Sequence, residues 1–168
     1  TWLLVLRVLK LLLEQDSDAS RASLREWLPP TAELLRITEY ECGWLGLTTG
    51  WCHPALIFAR LHGERLGDWA TTAEVTEGVL RIEGFNALFR AEAFRLLGCA
   101  QAALGRSGEA CQAAESAAAE AAKARYVWIE MLSLRDALRW CEVDAVEHIR
   151  SRLRDAVNRV SASDEELV

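Results

Sequence analysis

The sequence predicts an all-α fold of antiparallel helical hairpins, with about seven or eight helices. Three observations predict it. Apolar residues return at three- and four-residue steps over most of the chain, most regularly at Phe85, Leu88, Phe89, Ala93, Leu96, Leu97, Ala100 and Leu104, and that spacing draws one wide stripe along a helix. The segments between such stripes are short and carry Gly, Asp or Ser, the punctuation of helix ends. Only three prolines occur and β-branched alternation is scarce, so strands have no room.

The first helix runs from about Trp2 to Gln15 and is apolar on nearly every side. Such a helix implies neighbours that cover it, and Thr1 in place of Met suggests that the chain belongs to something longer. A short helix over Ser20–Leu28 stops at Pro29-Pro30, which cannot continue as helix interior. Thr31 is the expected N-cap of a third helix over Ala32–Leu47, ended by Thr48-Thr49-Gly50. His53-Pro54 opens the fourth, with the proline in the first turn, where its missing N–H costs little. That helix carries Leu56, Ile57, Leu61 and Leu66 and closes at Gly67. Asp68 caps its partner, which runs from Trp69 to Ile82 and is closed by Gly84.

After the stripe from Phe85 to Leu104, Gly105-Arg106-Ser107-Gly108 forms a turn, too short for a phosphate-binding loop and without the Lys-Ser/Thr that would follow one. An alanine-rich helix comes next, with Ala110, Ala114, Ala117 and Ala121 on one line. Val127, Met131, Leu134, Leu138 and Cys141 mark another helix. Val143, Val146, Ile149, Leu153, Val157 and Val160 mark the last. Residues 1–50 are thus N-terminal helices packed on the hairpins or on upstream sequence, residues 51–160 are the hairpins, and residues 161–168 are a polar tail expected to be disordered.

Composition narrows the function classes. Hydrophobic residues make up 51% and charged residues 26% of the 168 positions, which excludes a disordered chain. A net charge of −6 leaves no general positive field for phosphates, so no nucleic-acid partner is expected. The apolar run Trp2–Leu13 is interrupted by Arg7 and Lys10 and is too short to span a bilayer, so no membrane association is expected. It also lacks the basic start and cleavage site of a signal peptide. The five cysteines (Cys42, Cys52, Cys99, Cys111 and Cys141) are odd in number and form no C-x-x-C pair. They read as reduced thiols acting as small apolar side chains in a cytoplasmic, intracellular protein.

One hairpin carries specific residues. Phe94 supplies a large aromatic, Leu97-Gly98 follows at three residues, Gly105 sits in the turn, and Ala110 and Ala117 are small positions on the second helix. Gly98 and Ala110 are expected to face each other where two helices nest, and any larger side chain there would push them apart. This hairpin, Ala91 to Ala124, resembles a tetratricopeptide (TPR) unit of roughly 34 residues. It departs from that pattern at Gln101, Ala114 and Ala122, where aromatics and a proline are usual. Leu66-Gly67-Asp68-Trp69 resembles the turn of a weaker copy, 38 residues upstream counted from Gly67 to Gly105.

The resemblance implies a right-handed α-solenoid whose first helices line a concave groove for an extended or helical segment. Arg60, Glu64, Arg90, Arg95, Gln101, Glu130 and Arg135 are the candidate groove residues on those helices. Some TPR domains clamp a terminal carboxylate with a Lys and an Asn one turn apart. The matching positions here are Arg95 and Cys99, and the amide is missing.

Other candidates have plainer readings. Cys42, Cys52, His53 and His62 match no standard zinc spacing and read as core cysteines beside surface histidines. No metal, cofactor or catalytic constellation is expected. Arg150, Arg152, Arg154 and Arg159 on the last helix read as a solvated face partly neutralised by Glu147 and Asp155. Among the seven tryptophans, Trp69, Trp128 and Trp140 are expected between hairpins, while Trp44 and Trp51 are candidates for a partner-facing aromatic. The expectation is therefore a non-catalytic protein- or peptide-binding scaffold. The alternative is a helical regulatory appendage packed against flanking domains of a longer parent chain.

Overall fold

A computed structural model describes residues 18–45, 54–82 and 86–165. Among them eight α-helices follow one another: α1 (Asp18–Trp27), α2 (Thr31–Leu45), α3 (Pro54–Arg60), α4 (Trp69–Leu80), α5 (Ala87–Ala103), α6 (Ser107–Lys123), α7 (Val127–Trp140) and α8 (Val143–Glu165). No strand occurs among the described residues, and the all-helical expectation holds. The expected first helix, the end of the second hairpin at Gly84, and Trp51 lie outside the described residues, as does the side chain of Trp44. α8 runs on to Glu165, well into the segment expected to be disordered.

Most helix ends follow the local chemistry. The Asp68 carboxylate accepts from the Thr71 N–H at 3.1 Å and caps α4. Asn86 accepts from the Leu88 N–H at 2.9 Å and starts α5 two residues later than the apolar stripe implied. α2 corrects the Thr31 cap: the Pro30 carbonyl accepts from the N–H groups of Glu33 and Leu34, so Thr31 is already the first helical residue. Proline gives the preceding turn its fixed φ, which leaves Thr31 free to enter the helix.

α5 ends in a Schellman turn. Gly105 at φ +78° takes the left-handed position, its N–H donates to the Ala102 carbonyl, and the Arg106 N–H donates back to Gln101 at 2.9 Å. α6 ends in the same way, with the Tyr126 N–H donating to Ala121, but Arg125 holds the left-handed place at φ 59°. A side chain there crowds its own carbonyl. Arg125→Gly is accordingly expected to raise stability by about 0.5–1 kcal/mol, seen as a rise of about 1–4 °C in Tm. An unchanged or lower Tm would count against the strain.

α3 does not end at Arg60 but widens into a π-helical turn, Leu61–Arg65. The Leu66 N–H reaches back to the Leu61 carbonyl, and the Asp68 N–H to that of His62 at 2.8 Å. The wide turn brings Gly63 beneath the indole of Trp69, where an added Cβ would stand 2.4 Å from Cζ3. Trp69 thus packs within its own hairpin, on the π turn, rather than between hairpins as expected.

From α2 onward each helix lies on the next, and α2 also touches α4, α3 touches α5, and α5 touches α7. The nesting of Gly98 is as the sequence implied: a Cβ there would stand 3.2 Å from the Ala110 carbonyl oxygen and 3.0 Å from the Trp140 ring. Ala110, Ala114, Ala117 and Ala121 are all fully buried. Apolar packing falls into two clusters. Leu24, Leu34, Phe58, Leu61, Val79 and Leu96 belong to the first, which joins α1 to α5, and Ala114, Ala118, Leu134 and Ile149 belong to the second, which joins α6 to α8. Buried threonines satisfy themselves on helix carbonyls, and Thr72 also donates to Ala59 of α3 at 2.8 Å.

The cysteine reading needs correction. Cys111, in the second turn of α6, and Cys141, just past α7, form a disulfide with their Cα atoms 4.9 Å apart. Thirty residues separate them, and stacking one helix back along the next brings the N-terminal end of α6 beside the C-terminal end of α7. Cys99 remains a free thiol.

Candidate functional site

α3, α5 and α7 present a row of charged side chains tied together by ion pairs. Glu92, Arg95 and Cys99 share one face of α5, at steps of three and four. Arg60, on the last turn of α3, pairs with Glu92 and lies 3.8 Å from Glu64. Arg95 grips Glu92 through two nitrogens at 2.9 and 3.1 Å and reaches Asp136 of α7 at 3.6 Å. Asp136 also meets Arg135 at 2.8 Å and Arg139 at 3.8 Å.

The centre of this ladder is withdrawn from water and its ends are wet. The Asp136 side chain is 4% exposed, whereas Arg135 and Arg139 are 50% and 65% exposed. Burial alone would lower the Arg95 guanidinium, but Glu92 and Asp136 outweigh it and hold it above its ordinary value. The Cys99 thiol is pushed up by burial, with Asp136, Glu92 and Glu64 adding to the effect and Arg95 opposing it. Cys99 therefore favours its protonated form in the wall of the row.

The candidate groove residues divide. Arg60, Glu64, Arg95 and Arg135 come together in the ladder. Arg90 instead donates to the Leu80 carbonyl at 3.2 Å and lies over the Phe94 ring. Gln101 is buried between Glu77 and Arg106, and Glu130 is buried under Arg159, which bonds both its oxygens at 2.7 Å. Sequence reasoning passed over Glu92 and Asp136, although Glu92 precedes Arg95 by three residues, a helical ion-pair spacing. It also placed Trp128 between hairpins, whereas the ring is 70% exposed. Trp140 does pack inward, on Gly98.

A second feature lies where α1, α2 and α4 meet the π turn. An open cleft of about 470 Å³ is lined by Arg25, Pro30, Thr31, His62, Asp68 and Thr71, among others. The His62 Nδ1 is buried and lies 3.5 Å from Asp68 Oδ2, at the long limit of a hydrogen bond. Burial lowers His62 below its ordinary value of 6.5, and Asp68 offsets only part of that. Asp68 itself is raised by burial, yet Thr71 and His62 outweigh this and hold it below 3.8.

The fold thus favours the neutral imidazole. Its contribution is complete above pH 6.5 and is lost as pH falls through the lowered folded value. His62→Gln should flatten the decline of Tm with acidification below pH 6.5, while the separate loss near the Asp68 titration persists through Thr71 and shrinks by the share His62 supplies. Parallel curves for the two proteins would contradict it.

Among the described residues no three His, Cys, Asp or Glu side chains gather as metal ligands, and Cys42, Cys52 and His53 of the sequence cluster lie outside the described side chains. No described helix is long and apolar enough to cross a membrane. No family model matches the chain, and no curated protein or solved structure does.

Proposed function

We propose that this chain is a non-catalytic, TPR-like scaffold, a right-handed solenoid that binds a protein or peptide along α3, α5 and α7. One observation carries the reading: these three helices touch in sequence and share a single row of charged side chains from Arg60 to Arg139. Every second helix facing one side is the arrangement from which stacked hairpins build an extended binding surface. The row offers fixed donors and acceptors at both wet ends, suited to polar contacts with a bound segment. The intracellular setting expected from reduced thiols loses its main support at Cys111 and Cys141, because disulfides are uncommon where thiols are kept reduced.

The test is a random peptide library displayed on phage and panned on the full chain. Enriched peptides should protect amides of α3, α5 and α7 from hydrogen exchange. An unenriched library, or protection on α4, α6 and α8 instead, would overturn the reading.

A further inference from the structure

Trp128, Leu132, Arg135 and Arg139 follow one another on α7 at steps of four, three and four, which places them on one helix face. That face is open. Trp128 is 70% exposed, Arg135 and Arg139 are at least half exposed, and Leu132 is half-buried beside them. Tryptophan and arginine are the residue types that most often dominate binding energy at protein interfaces. A tryptophan exposed to this degree has apolar area to gain from a partner.

Charge decides which partner. Asp136 is buried at the side of this face and is met by three guanidinium groups, Arg95, Arg135 and Arg139. One carboxylate cannot neutralise three arginines, and Arg95 already holds Glu92. The other carboxylate on α7, Glu130, is bound by Arg159 of α8. Arg135 and Arg139 share the single charge of Asp136, so this face keeps one positive charge in excess on a protein whose net charge is −6, a local reversal of sign.

We infer that this face of α7 binds an acidic polypeptide segment, with a large apolar side chain seated on Trp128 and two carboxylates on Arg135 and Arg139. The inference rests on the scaffold reading above and names the partner's chemistry. It also sets a spacing. Along a helix axis Trp128 and Arg135 are about 10 Å apart, and Arg135 and Arg139 about 6 Å apart. An extended segment covers about 3.3 Å per residue and alternates its side chains between two faces, so its acids fall at even offsets, about four and six positions from its apolar residue, within reach of the long arginine side chains.

The experiment measures fluorescence anisotropy of labelled synthetic peptides on the full chain. One peptide has the core Leu-Ser-Ser-Ser-Glu-Ser-Glu, a second has that core reversed, and a third replaces both Glu by Gln. One of the two orders is expected to bind, and the Gln version to bind at least about tenfold more weakly. Trp128→Ala and the pair Arg135→Ala with Arg139→Ala should each weaken binding by about thirtyfold or more, the energy of one interface hot spot. Far-UV circular dichroism should stay unchanged in these variants, since the altered side chains are at the surface. Rising salt should weaken the acidic peptide selectively.

The inference is overturned if neither order binds at 1 mM peptide, if the Gln peptide binds equally well, or if Trp128→Ala has no effect. A single-stranded oligonucleotide that binds through the same three residues while the peptides do not would overturn it too. Library peptides that protect α3, α5 and α7 while these designed peptides fail would sink this inference alone. A library without hits would sink the scaffold reading.

Discussion

Arg95→Met is expected to destabilise the protein by about 3 kcal/mol, the lower end of what breaking a buried ion pair costs. The Arg95 side chain is 12% exposed and stands between two carboxylates that are themselves largely buried. Methionine fills most of its volume, so the loss comes from charge and not from a void. Glu92 keeps Arg60, and Asp136 keeps Arg135 and Arg139, but those three arginines sit in water and screen poorly toward the interior. That retained pairing is why the lower end is expected.

Urea denaturation should show a lower midpoint at an unchanged slope. Adding Glu92→Leu and Asp136→Leu should recover much of the loss, because a fully apolar replacement removes the stranded charges. Arg95→Lys should recover little, since one ammonium cannot reproduce the two-nitrogen grip on Glu92. A cost below about 1 kcal/mol for Arg95→Met would mean that the ladder behaves as a solvated surface pair.

Phe58→Ala is expected to cost about 3–5 kcal/mol, and to do so unevenly. Phe58 is fully buried in the cluster that joins α1 to α5, while α6 to α8 close around Leu134 and Ile149. Between the clusters lie Gly98, Ala110 and Ala117, positions that bring backbones close but bury little apolar surface of their own. Under the proposed solenoid reading, stabilities add through nearest neighbours. Native-state hydrogen exchange on Phe58→Ala should therefore show α3 to α5 losing protection before α6 to α8, and Leu134→Ala should show the reverse. Equal loss at every amide would indicate one cooperative unit instead.

Much of the fold was legible because it is local. Gly67 and Gly105 mark turns that need positive φ, and both adopt it. Gly98 and the alanines of α6 signal close approach, which needs no knowledge of distant sequence. The ladder was legible only in part. Arg60, Arg95 and Arg135 read as candidate groove residues on first helices, and only stacking brings their carboxylates within reach.

The error over Arg90 and Gln101 is a matter of helical phase. A residue advances by about 100° per position, so Arg90 and Gln101 cannot share a face with Arg95. Counting both faces of one helix as groove was avoidable from spacing alone. The disulfide was not avoidable in that way, since it depends on which helix ends meet. Trp128 was misplaced for a related reason: an apolar residue at a helical phase says which stripe it occupies, but not whether anything lies against that stripe.

The covalent link between Cys111 and Cys141 changes how the molecule can come apart. A chain of helices held only by neighbours can shed units from an end, one peeling after another. Here α8 can lift from α7, but α7 cannot leave α6 while the two sulfurs are joined. Unravelling from that end therefore meets a stop after a single helix, and the tryptophan-bearing face of α7 stays clasped to the body of the protein through fluctuations that free α8.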